Sequence, residues 1–86
     1  MHNVNEVVRG LLAHHLNRHP ASILASQRLG RDLDVTPLEL VLIALDLEDI
    51  AGVAVPVEQL GRVDTVGELM SFLEATVTHQ RRARVA

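Results

Sequence analysis

The chain has no cysteine, no lysine and a single aromatic residue, Phe72, among its 86 residues. Without cysteine there is no disulfide scaffold, no thiolate zinc site and no cysteine nucleophile. With 48% hydrophobic residues and one ring, the core must be filled by Leu, Val, Ile and Ala. The eight basic residues are all arginine and the eleven acids outnumber them, for a net charge of −3. A chain that grips nucleic acid through bulk charge is normally basic, so that class is set aside. The longest unbroken apolar run, Leu40 to Leu45, is far short of the roughly 20 residues that a membrane span requires. The opening MHNVNEVVRG has neither the basic flank nor the apolar stretch of a secretory signal. A soluble cytoplasmic domain with one core, and no room for a deep catalytic cleft, is the expectation.

Net charge conceals a polarity. Residues 1–31 carry +3, residues 32–61 carry −7 without a single cation, and residues 62–86 carry +1. An acidic middle third is either a solvated surface or the face that meets a basic partner.

The apolar pattern is helical throughout. Val4, Val7, Val8, Leu11, Leu12 and Leu16 recur at steps of three and four, with Asn3 or Asn5 as a cap and Pro20 as a stop. Residues 18–36 form a long connection whose apolar patches, Ile23-Leu24 and Leu29 to Leu33, are expected to tuck into the core. A loop of that length in so small a domain is often functional. Thr36-Pro37-Leu38-Glu39 then reads as a helix start: Thr36 caps, Pro37 suits the first helical position, and Glu39 completes a capping box. That helix runs to about Ile50 and ends at Gly52. Pro56 to Leu60 allow one short helical turn. A second box, Thr65-Val66-Gly67-Glu68, opens a last helix with Val66, Leu69, Met70, Leu73 and Val77 on one face. The expected fold is all-α: three main helices plus one short helix in a small bundle over residues 1–78, followed by a basic, frayed tail over 79–86.

The second helix is more apolar than one core can use. Leu40, Ile43, Ala44, Leu47 and Ile50 supply a buried stripe, yet Leu38, Val41, Leu42 and Leu45 form a second one, with Asp46, Glu48 and Asp49 behind it. A helix with two apolar faces is buried on both or meets a partner. The candidate docking residues are Leu38, Glu39, Val41, Leu42, Leu45, Asp46, Glu48 and Asp49.

At these residues the sequence resembles the acyl carrier protein family. Asp32-Leu33-Asp34-Val35-Thr36-Pro37-Leu38-Glu39-Leu40-Val41 is similar to the family's phosphopantetheine-attachment signature, an Asp-Ser-Leu triplet opening the second helix after a long loop. Val55-Pro56 and Val63-Asp64-Thr65-Val66 continue the likeness at matching separations, so that it covers residues 4–75. The resemblance implies the carrier bundle, and partners whose arginines and lysines read the acids of the second helix; Glu39, Glu48 and Asp49 match those acidic positions. Ala51 stands where the family often has a bulky aromatic, a volume that Ile50 is expected to fill. Leu42 replaces a common exposed acid and makes the face greasier.

The departure falls on the attachment itself: Thr36 stands for the Asp and Pro37 for the modified Ser. Attaching the arm is a phosphoryl transfer to a hydroxyl, and proline has no oxygen to offer. Thr36 has a hydroxyl, but a secondary one that is needed for the cap, and Ser22, Ser26 and Ser71 lie outside the motif. Folding is spared, because the first helical position is where proline costs least. The 4'-phosphopantetheine cofactor is therefore expected to be absent, and no enzymatic activity is expected. What is expected is an interaction or regulatory module of a fatty acid, polyketide or peptide assembly system. Its partner would be a carrier-recognising enzyme or another carrier with a basic and apolar docking face. Two alternatives stand beside it: a genuine carrier whose Ser was lost by engineering or whose attachment moved to Thr36, and a helical protein that buries Leu38, Leu42 and Leu45 against its own copy as a homodimer.

Other constellations are weak. His15 and His19 have metal-ligand spacing with His14 beside them, but Pro20 disturbs the turn, and solvated histidines are expected. Asp46, Glu48 and Asp49 lack the convergent oxygens of a dedicated cation site, so no metal is expected.

Overall fold

Asn3 opens the first helix by accepting the Asn5 N–H on its side-chain oxygen at 2.8 Å, and helix α1 runs from Val4 to Leu16. The structure, a computed structural model, describes residues 3–85. Asn17 ends α1, not Pro20 as the sequence suggested: its backbone turns left-handed at φ 54°, and its N–H closes on the carbonyls of Ala13 and His14. Asparagine tolerates that conformation, so the helix stops before proline can act. Pro20 instead begins a single 3-10 turn, Pro20–Ser22, whose first N–H groups are met by His19.

The connection that follows is anchored as expected at Ile23, Leu29 and Leu33, and in addition at Val35, all buried. Leu24 departs from the expectation and stays exposed: its own N–H is held by the Gln27 side chain at 2.7 Å, in a turn that leaves the next apolar residue outside. Much of the connection's polar backbone is spent on the start of the last helix. Gln27 and Ala25 carbonyls accept the N–H groups of Val66 and Gly67 at 2.9 Å each, and the Leu29 N–H donates to Asp64 at 2.8 Å. This antiparallel contact satisfies helix-start donors that would otherwise be orphaned. The approach is close at Gly67, where a β-carbon would stand 3.2 Å from the Ala25 carbonyl oxygen and the neighbouring backbone would have to give by a few tenths of an ångström.

Helix α2 spans Pro37–Ala51 and ends on Gly52 in the left-handed conformation, φ 67°. A 3-10 helix, Val57–Arg62, leads to helix α3, Val66–Val85. Among the described residues there is no β-strand, and one isolated bridge joins Arg28 to Thr65. Residues 79–85, expected to fray, continue α3. Gln, Arg and Ala are good helix formers, and no Gly or Pro interrupts them. Gln80 also clasps Ala54 twice, its oxygen accepting the backbone N–H and its amide donating to the carbonyl.

Helix α1 packs against both α2 and α3, and the 3-10 helix closes over α2. The shared core is wholly apolar among the described residues: Val8, Leu12, Ile43, Leu47, Leu69 and Leu73 are at its centre, each 1% exposed or less. Truncating such side chains removes transfer energy and leaves a void. Ile43→Ala or Leu47→Ala is therefore expected to lose about 2–5 kcal/mol in urea unfolding. Leu42→Glu, on the open side of α2, is expected to stay within about 1 kcal/mol.

The box at α3 carries a pH signature. The Glu68 carboxylate accepts the N–H of Thr65 at 2.9 Å and of Asp64 at 3.2 Å, which holds its pKa below the ordinary carboxylate value. A carboxyl group depressed on folding stabilises above its unfolded pKa and loses that contribution as pH falls through the folded one. Glu68→Gln is expected to lower the urea midpoint at neutral pH. The difference from the parent chain should shrink on acidification through the carboxylate range.

Candidate docking face and degenerate attachment position

The start of α2 is built as its sequence implies. The Thr36 hydroxyl oxygen accepts the Glu39 N–H at 3.1 Å, while the Glu39 carboxylate accepts the Thr36 N–H at 3.0 Å and its hydroxyl at 3.2 Å. Pro37 occupies the next position, exposed, with its ring on the surface of the first turn. The hydroxyl nearest to it is thus engaged both as donor and as acceptor. Beside Pro37 lies an apolar groove of about 350 Å3 formed by Leu40 and Val41 of α2, Val57 and Leu60 of the 3-10 helix, and Val63.

Along α2 the two stripes separate cleanly in part. Ile43, Ala44 and Leu47 are buried and Leu40 is half-buried. Leu38, Leu42 and Leu45 are exposed, at 67%, 41% and 45%, and Val41 is half-buried at their side. Ile50 was expected on the core stripe and is 54% exposed. At 100° per residue it lies at the edge of the buried arc, and the chain leaves at Gly52 without covering it. Ile50 therefore does not fill the core volume expected of it, and half-buried Ala51 is the residue that packs against the core there.

The acids divide as well. Asp46, expected at the docking face, receives a hydrogen bond from His15 Nε2 at 2.9 Å, so that it ties α2 to α1. His15 is accordingly not a solvated histidine: its side chain is 19% exposed and lies edge-on to the His14 ring. His19 faces solvent and accepts the Ala21 N–H. Glu48 accepts the Val55 N–H at 2.6 Å and thereby fastens the segment after α2. Glu39 is committed to the capping box. Asp49 is exposed, and its carboxylate has no partner among the described residues. The carboxylates thus turn to separate partners, and no group of three or more potential metal ligands forms among the described residues.

Sequence reasoning missed the His15–Asp46 link, because the two residues are 31 positions apart and neither stands out locally. Sequence spacing likewise gave no sign that Ile50 and Leu24 would be exposed.

The chain is similar in sequence to several known proteins. The acyl carrier protein of Amoebophilus asiaticus is 27% identical over 74 residues, which is 86% of this chain and 92% of that protein. A probable acyl carrier protein of Caulobacter vibrioides is 35% identical over 51 residues, 59% of each chain. The meromycolate extension acyl carrier protein of Mycobacterium leprae is 34% identical over 55 residues, 64% of this chain and 48% of that one. The chain is related to the acyl carrier protein family. The matched segment spans about three-fifths or less of the Caulobacter and Mycobacterium relatives but nearly all of the Amoebophilus one. No family model matches the chain. Among the described residues no helix is long and apolar enough to cross a membrane.

The Thr36 hydroxyl's role in the cap is testable. Thr36→Ala is expected to cost about 0.5–2 kcal/mol of stability in urea unfolding, whereas Thr36→Ser is expected to restore most of it.

Proposed function

We propose that this protein is an acyl-carrier-like module without a prosthetic arm, which acts by docking and not by carrying an acyl group. Its place is in a fatty acid, polyketide or peptide assembly system, as decoy, scaffold or regulator of an enzyme that recognises carriers. One observation carries the reading: Pro37 occupies the first position of an otherwise intact, capped α2. The residues at that position do not fit a phosphopantetheine attachment. Transfer of a phosphoryl group needs an attacking oxygen, and proline provides none. Thr36 is adjacent, but both its hydrogen-bonding roles are taken by Glu39, and releasing it would uncap the helix.

The relatives' names place carriers in the family, and carriers are not themselves catalysts, which supports a non-catalytic protein here. The surface supports docking. Leu38, Leu42 and Leu45 are exposed in a row, bordered by Glu39 and Asp49. An apolar strip excludes water at the centre of an interface, while rim acids steer a basic partner and fix its orientation. Asp46 and Glu48 serve this face at one remove, by holding α2 to α1 and to the segment beyond it.

Co-expression with a phosphopantetheinyl transferase, followed by intact-mass measurement, tests the reading. The expected result is an unmodified mass. A gain equal to the arm would overturn it and return the chain to the genuine carriers. In the same assay Pro37→Ser is expected to become a substrate at a reduced rate, because Thr36 still stands where the family has Asp.

A further inference from the structure

We propose that the groove between the 3-10 helix and α3 binds an extended peptide segment of a partner, with an aromatic anchor on Phe72 and acidic residues against Arg82. This site is separate from the α2 face, and neither depends on the other.

The groove follows from how the 3-10 helix is held. That helix packs on α2, and its chain joins α3 at one end through Val63 to Thr65. At the other end Gln80 of α3 grips the backbone of Ala54, just before Pro56, through two hydrogen bonds. Fixed at both ends, the two elements leave a shallow apolar groove of about 290 Å3, lined by Pro56, Gln59, Phe72, Ala75, Thr76 and His79. Phe72, the chain's only aromatic residue, packs against the core yet stays half-buried. Ala75, one turn on, is too small to cover the ring, and the Thr76 hydroxyl is spent on the Phe72 carbonyl at 2.9 Å. A large side chain laid on such a ring gains both area burial and aromatic contact.

Charge gives the groove a direction and the occupant its chemistry. Glu68 stands one turn before Phe72, and Glu58 is exposed on the 3-10 helix. Towards the far end of α3 the sign reverses: residues 75–86 hold three arginines and no acid. Arg82 stands one turn past His79, exposed and without an ion-pair partner among the described residues. Cations at a helix C-terminus suit the helix dipole, which accounts for the charge but not for an apolar groove leading to it. Phe72 and Arg82 are ten residues apart in α3, about 15 Å along the helix. About five residues of extended chain cover that distance, which makes a peptide the fitting occupant. An aspartate or glutamate past the anchor then meets Arg82, whereas a basic residue there is repelled. The contact is small, so binding is weak, with a Kd on the order of 100 μM.

Because the chain has one phenylalanine and neither tyrosine nor tryptophan, the Phe72 ring signals of isotope-labelled protein report directly on the site in NMR. The probe is the unlabelled peptide acetyl-Phe-Ala-Glu-Asp-Glu-amide, titrated to about 2 mM. The expected result is saturable shifts of the Phe72 ring and of the Thr76 and His79 amides. Exchanging the peptide's acids for lysine is expected to abolish them, and Arg82→Glu in the protein to weaken binding at least about fivefold. Ala75→Leu, which fills the groove, is expected to weaken binding as much. Both positions are exposed, so the urea midpoints are expected to stay unchanged. Leu42→Glu, on the α2 face, is expected to leave this binding as it is, which keeps the test apart from that of the docking reading. Absence of a saturable Phe72 shift, equal binding of the lysine peptide, or insensitivity to Arg82→Glu or to Ala75→Leu would each overturn the proposal.

Discussion

Burial of Ile43, Ala44 and Leu47 in the single core governs what the rest of the molecule can present. Those three side chains orient α2, and the orientation turns Leu38, Leu42 and Leu45 to solvent on the opposite side. Among the described residues no element covers the second stripe. Exposed leucines in a row are uncommon on the surface of a small domain.

The polar contacts of α2 work with that burial. Thr36 and Glu39 secure its first turn, Glu48 secures the exit, and His15 holds Asp46 from the side. Each carboxylate so engaged has one oxygen committed to a contact within the fold. Asp49 is exposed, and its carboxylate makes no such contact among the described residues.

Pro37 shows how chemistry and fold can part company at one residue. A helix start tolerates proline because the N–H that it lacks would be unpaired there in any case. Phosphoryl transfer to a side chain, by contrast, needs an oxygen, and proline has none. Helix, cap and adjacent apolar groove all form around a residue that has no side-chain oxygen.

Most of the architecture was legible in the sequence. The two capping boxes mark the starts of α2 and α3, since both partners of each box lie within four residues. The three- and four-residue spacings mark the core stripes, because helix geometry is periodic. The exposed row of leucines was also readable, from the excess of apolar positions over what one stripe can bury. Other features were decided by tertiary contact. Ile50 sits on the spacing of the core stripe yet faces solvent, because the path of the chain after Gly52 determines what covers it. His15 and Asp46 meet because α1 and α2 pack side by side, and the arginine-rich end of α3 stays helical where Gln80 clasps Ala54. Local hydrogen bonding and periodicity are written in neighbouring residues, whereas burial and pairing depend on which distant segments the fold brings together.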